Sequence, residues 1–240
     1  MILYLRTMNV LRLLPNALTL ANATLGGIAI WYLLWQQNPT AAAYCILGAA
    51  VADFLDGFAA RALKVSGPLG KQLDSLADAV SFGVFPAFAG VYTMHALGVS
   101  DTWVLLSPLI ILPASVYRLA KFNIDTRQEY GFIGVPTPAN TLLWLGIMMS
   151  VVTLHPSAQA LPLIIAGVAV LSAYLLNASF PLLSLKIANG KPSTPQLVLA
   201  LASVVSYVVI YMILENAWAP VPIVLLLYPI ISIITRNRHA

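Results

Sequence analysis

Charge is scarce in this sequence. Only 8% of its 240 residues are Asp, Glu, Lys or Arg, where a soluble domain carries about 25%. With 60% hydrophobic residues and a mean hydropathy of +0.88, that scarcity excludes a soluble protein and points to an integral membrane protein. No hydrophilic stretch is long enough for a separate soluble domain, so residues 1–240 read as a single polytopic unit. The lone cysteine, Cys45, rules out an intrachain disulfide and reads as apolar helix packing. His95, His155 and His239 are isolated, without a metal-ligand partner at helical spacing, and read as surface residues. Signal h-regions are about 7–15 residues long. The apolar run from Ala17 to Trp35 is longer, and the small triplet Ala21-Asn22-Ala23 lies inside it, so no cleavage is expected.

Breaks at polar, Gly and Pro clusters divide the chain into about eight apolar segments, near 16–36, 41–63, 72–96, 102–122, 137–155, 159–180, 196–215 and 218–235. All twelve Lys and Arg residues fall in or beside alternate connections, or beside the two termini. The positive-inside rule therefore predicts cytoplasmic termini. Arg6, Asn9, Arg12 and Asn16 recur every three to four positions, which suggests an interfacial helix over 1–14. Trp31, Trp35, Tyr92, Trp103 and Trp218 cluster near the opposite span ends, as an aromatic belt would.

Four of the eight acidic residues fall in one run: Asp53-x2-Asp56-Gly57-x2-Ala60-Arg61-x8-Gly70-x3-Asp74-x3-Asp78. On helices each Asp pair projects from one face. A charge within a membrane helix costs roughly 2.5–3.5 kcal/mol on insertion scales and usually marks function. Clustered carboxylates without nearby His or Cys suit Mg²⁺ or Mn²⁺, with Ca²⁺ also compatible, and argue against zinc. Gly57 and Ala60 leave room for a ligand beside the backbone. Arg61 can fork onto phosphate, and Gly70 precedes a helix start where N–H groups can meet an anion. Together these features describe a pyrophosphate site. A salt-bridge cluster with Arg61, Lys64 and Lys71 leaves the ordered Gly and Ala positions unexplained. The rival from another class is a cation transporter. Against it, the acids gather at one membrane face, and no inverted repeat carries a matching pair.

The run resembles the signature of the CDP-alcohol phosphotransferases, matching all eight of its specified positions. "LPNALTLANATLGGIAI" at 14–30, "GKQLDSLADAVSFGVFPA" at 70–87, "RLAKFN" at 118–123 and "FIGVPTPAN" at 132–140 are similar to bacterial and archaeal phosphatidylserine synthases. The resemblance covers 14 to about 192. It implies an all-α CDP-alcohol phosphotransferase fold, with a catalytic core over 15–192 and two further spans over 193–240. The implied reaction moves a phosphatidyl group from CDP-diacylglycerol to L-serine, releasing CMP. Acceptors such as inositol phosphate, glycerol 3-phosphate or choline would use the same motif.

Carried over by position, Asp53, Asp56, Asp74 and Asp78 hold divalent cations, two per site, with Asp78 also the general base. Gly57, Ala60, Arg61 and Gly70 contact the CDP-lipid. Arg118, Lys121, Asn123, Asn16 and Thr19 are candidates for acceptor or phosphate binding. Lys121 stands where the related sequences commonly have Arg, and it lacks the planar fork. The 131–140 stretch, with Gly131, Gly134, Pro136 and Pro138, suits a cover or a plain connector. The resemblance further implies an inner-membrane enzyme with a cytoplasmic site and a homodimer; nucleic acid is not expected as a partner.

Overall fold

The computed structural model describes residues 2–65, 67–124, 132–179, 181–182 and 194–236. The side chains of Arg6, Asn9, Arg12 and Arg236, and all of Gly131, Lys186, Lys191, Arg238 and His239, lie outside what is described. The described residues form, in order, the α-helices α1 (Ile2–Leu34), α2 (Pro39–Ala62), α3 (Pro68–Asp78), α4 (Phe85–Ala96), α5 (Thr102–Leu106), α6 (Ile111–Ile124), α7 (Thr137–Leu154), α8 (Leu161–Asn177), α9 (Thr194–Leu214) and α10 (Pro220–Arg236). The sole extended pairing among the described residues is two residues long, β1 (Phe132–Ile133) against β2 (Pro181–Leu182), antiparallel. The protein is an all-α, multi-pass membrane protein.

Among the described residues, five stretches are long and apolar enough to span a bilayer: Leu13–Leu34, Pro39–Ala62, Pro68–Ala96, Thr102–Ile124 and Thr137–Leu154. Two of them are not single helices. A six-residue π-helical segment, Ala79–Val84, joins α3 to α4. A 3₁₀ turn, Ser107–Ile110 with Pro108 inside it, joins α5 to α6. The segment before the first span is not a separate element either. It runs through Pro15 into a continuous 33-residue helix, roughly 50 Å long at 1.5 Å per residue and well over a ~30 Å hydrocarbon core.

Local chemistry sets several of the helix starts. Asn38 caps α2, its Oδ1 accepting from the Ala41 N–H at 2.9 Å, with Pro39 next. Asp101 caps α5 through the Val104 N–H at 2.9 Å. Asn216 Oδ1 accepts from the Trp218 and Ala219 N–H groups ahead of α10, while its Nδ2 ties this turn to Thr153 of α7.

Small residues allow the helices to approach closely, as packing within lipid favours. One core cluster joins Ala29 and Leu33 of α1, Ala42, Ala43, Ile46 and Ala49 of α2, Phe85 and Ala89 of α4, and Leu145, Met148 and Met149 of α7; Cys45 packs at its edge. A second cluster centres on Trp144 of α7 and reaches Ile165, Ala169 and Leu176 of α8. The Trp144 indole N–H donates to Ser172 Oγ at 3.2 Å.

At the site end of the bundle the tightest approach is Gly26 of α1 against Ser81 in the π segment. A Cβ on Gly26 would overlap Ser81 Oγ and lie 2.9 Å from its Cα. Ser81 Oγ donates to the Asn22 carbonyl at 3.0 Å, so the π segment is fastened to α1 one turn before Gly26. Gly26→Val is expected to force α1 away from Ser81 and cost about 1–3 kcal/mol, the usual range for overpacking. A thermal unfolding midpoint equal to wild type would show that this crossing tolerates the extra carbons.

Candidate functional site

The chain turns between α2 and α3, and α1 packs against both helices, so carboxylates of the two come together beside α1. Asp53, Asp56 and Asp74 meet there. Each offers a carboxylate oxygen, and these oxygens all lie within 4.8 Å of one another. Asp56 is buried, whereas Asp53 and Asp74 are partly exposed. Asp78 stands one turn beyond Asp74 at the end of α3, outside that set of three. Three carboxylates this close repel each other strongly unless a cation intervenes. The donor set is all hard oxygen, with no imidazole or thiolate among it, which fits a divalent cation.

Two side chains of α1 reach this group. Thr19 Oγ1 donates to Asp56 Oδ2 at 2.6 Å, and Asn22 Nδ2 donates to Asp78 Oδ1 at 3.3 Å. Asn22 is fully buried, and its Oδ1 has no partner.

Two cavities flank α3. The larger is an open cleft of about 320 Å³, lined by Asn16 and Thr19 of α1, Asp56, Gly57 and Ala60 of α2, Gly67 before α3, and Gly70, Lys71 and Asp74 of α3. Gly57, Ala60 and Gly70, expected to contact a CDP-lipid, thus share one wall system with two of the acids. Arg61 extends over Gly57, its Nη1 3.2 Å from where a Cβ on that glycine would sit. The first turn of α3, opened by Gly67 and Pro68, contributes to the cleft wall. Its N–H groups and dipole make that wall favourable for an anion.

The smaller cavity, about 120 Å³, is lined by Asp74, Ser75, Asp78, Arg118, Leu119, Phe122, Pro136, Thr137 and Pro138. Asp74 therefore borders both cavities. Arg118 is buried on α6 and anchored by an Nη1 bond to the Leu176 carbonyl at 3.0 Å. Within the Gly/Pro-rich stretch, Pro136 to Pro138 form a wall of this pocket. Gly134 takes φ +72°, and a Cβ there would lie 2.8 Å from the Leu176 carbonyl, so only glycine lets the loop pass so close to α8.

The other candidates are distributed differently from Arg118. Asn16 and Thr19 lie on the larger cleft. Lys121 lines neither cavity. Asn123 is tied up in a clasp, its Nδ2 donating to Ser75 Oγ at 2.7 Å while its carbonyl accepts from Lys71 Nζ at 2.6 Å. Sequence reasoning misses Ser75, and it offers Lys71 only as a salt-bridge partner. Their positions between Gly70 and Asp78 are the one signal available. His95 and His155 are exposed and remote from the acids in sequence.

The sequence model of the CDP-alcohol phosphatidyltransferase family matches residues 12–178, from α1 to the end of α8. The chain belongs to this family. The family match thus takes in every carboxylate of the site and both cavity walls. Among curated relatives, the chain is 36% identical over 145 residues to a Mycobacterium tuberculosis protein named CDP-diacylglycerol–serine O-phosphatidyltransferase, covering 58% of this chain and 49% of that one. A Bacillus subtilis protein of the same name is 35% identical over 129 residues, covering 52% and 69%. An archaetidylserine synthase of Methanothermobacter thermautotrophicus is 37% identical over 128 residues, covering 52% and 53%. The matched stretch spans about half the length of the mycobacterial and archaeal relatives.

Proposed function

We propose that this protein transfers a phosphatidyl group from CDP-diacylglycerol to the hydroxyl of L-serine, giving phosphatidylserine and CMP. The observation that carries the reading is that Asp74 borders two cavities, a wide glycine-lined cleft and a smaller pocket with Asp78 and Arg118. The names of the bacterial relatives support serine as the acceptor.

The donor's cytidine and diphosphate enter the larger cleft. Gly57, Ala60 and Gly70 leave room for them, and Arg61, Lys71 and the first turn of α3 face the phosphate charge. The acyl chains stay in lipid, because the site lies at the ends of spanning helices. Serine occupies the smaller pocket with its carboxylate toward Arg118. Asp78 takes the proton from the serine hydroxyl, a poor nucleophile without a base within hydrogen-bond reach. The hydroxyl oxygen bonds to the phosphatidyl phosphorus, the P–O bond to CMP breaks, and CMP leaves with the electron pair. Asp53, Asp56 and Asp74, with Asp78 completing a second position, would hold Mg²⁺ or Mn²⁺. Such ions would supply charge neutralisation for the phosphoryl displacement.

The lysine and arginine distribution supports a site on the cytoplasmic face of the inner membrane, with eight spans and cytoplasmic termini. The family resemblance supports a homodimer.

Incubating purified protein with CDP-diacylglycerol, Mn²⁺ and single alcohols tests the assignment. Rapid CMP release is expected with L-serine and not with inositol phosphate, glycerol 3-phosphate or choline. EDTA should abolish it, with restoration by Mn²⁺ or Mg²⁺. Release with another alcohol alone would move the acceptor assignment, and release with none would favour a transporter. Parallel reactions with a CDP-activated ether lipid address the likeness to the archaeal relative.

A further inference from the structure

The acidic cluster is built on α2 and α3, yet its geometry is held from a third helix. Thr19 is buried and has one hydroxyl proton for two neighbouring acceptors, Asp56 Oδ2 at 2.6 Å and its own helix's Pro15 carbonyl at 3.0 Å. The charged and nearer acceptor takes it, since hydrogen bonds to an ionised carboxylate are the shorter and stronger kind. Asn22 lies three residues on, on the same helical face. Its Nδ2 faces Asp78 Oδ1. An ionised carboxylate only accepts, so this amide orientation is the one that pairs.

The amide oxygen is then left without a donor. Asn22 Oδ1 is buried and unpartnered, on the same amide whose Nδ2 reaches Asp78. An unsatisfied buried carbonyl is penalised by its lost hydration. Next to hard oxygen donors, the partner that removes this penalty is a cation or a water in its coordination sphere. The backbone of α1 is fixed for the task, because Ser81 Oγ holds the Asn22 carbonyl and Gly26 permits the close crossing one turn later.

We propose that Thr19 and Asn22 are positioning residues of the carboxylate site that set its divalent-cation affinity. Thr19 fixes the Asp56 carboxylate. Asn22 fixes Asp78 and presents Oδ1 as a further oxygen toward the cation or its bound water. The inference rests on the metal-site reading above and adds to the four aspartates a support from α1.

The test is a Mn²⁺ titration of the intact detergent-solubilised protein, with no lipid or acceptor present, following the free Mn²⁺ signal by electron paramagnetic resonance. Partners of metal-binding carboxylates typically matter 10–100-fold, so Thr19→Val and Asn22→Leu should each weaken Mn²⁺ binding by about that factor, while Thr19→Ser should stay within about threefold of wild type. Thermal midpoints measured in EDTA separate this role from simple packing. Unchanged Mn²⁺ isotherms for both Thr19→Val and Asn22→Leu would overturn the inference, whether or not their EDTA midpoints fell. The metal reading itself would survive that result, because wild type would still bind. Failure of wild type to bind Mn²⁺ would remove both.

Discussion

Asp78→Asn is expected to lower turnover by about 10²–10⁴-fold, the usual contribution of a positioned general base, while CDP-diacylglycerol binding changes little. The substitution is nearly isosteric, and the amide oxygen it introduces can still accept from Asn22 Nδ2. The loss should therefore come from the missing carboxylate, as base and as negative charge beside the cations, and not from a rearranged helix. Asp78 faces the smaller pocket and Asp56 the larger cleft, so the variant leaves the donor side's walls untouched. CMP release and a CDP-lipid binding isotherm, measured on the same preparation, check both halves. Turnover close to wild type would remove Asp78 from the base role.

Arg118→Gln is expected to raise KM for L-serine by about 10–100-fold, corresponding to one lost charge-assisted contact of about 1.5–3 kcal/mol. The KM for CDP-diacylglycerol should change much less, because Arg118 lines the smaller pocket and not the larger cleft. Arg118→Lys should recover only part of the loss. Lysine keeps the charge but lacks the fork that can hold the Leu176 carbonyl and a carboxylate together. Initial rates across serine concentrations decide this, and an unchanged serine KM would reassign the residue to helix anchoring.

Much of the fold is legible in the sequence because apolar runs between Gly, Pro and polar breaks set helix bounds directly. The segment read as 41–63 is α2, Pro39–Ala62, and that read as 137–155 is α7, Thr137–Leu154. The breaks inside spans are harder to read. Pro108 accounts for the 3₁₀ turn in retrospect, but nothing in Ala79–Val84 advertises a π-helical segment, which depends on contacts from Ser81 to α1 and from Thr141 Oγ1 to the Phe82 carbonyl. Helical segments of this kind are frequent near functional sites, and this one begins right after Asp78.

The acidic run is legible as a site from spacing alone, since each Asp pair has to share a helical face. Asn16, Thr19 and Asn22 fall three apart in the sequence, a spacing that sets them on one helical face. The partners of that face are not legible, because pairing Thr19 with Asp56 requires the crossing geometry of α1 and α2. Division of the candidates between two cavities is equally hidden. Arg118, Lys121 and Asn123 are close in sequence, yet one lines a pocket, one lines none, and one clasps α3.

The proposed phosphatidyl transfer depends most on Asp53, Asp56 and Asp74 sharing a divalent cation between α2 and α3. Anomalous diffraction from crystals grown with Mn²⁺ tests this directly. Anomalous density is expected between these three carboxylates, with Asp78 at its edge and Asn22 on the α1 side. Density absent there, or these side chains turned toward separate surroundings, would contradict it.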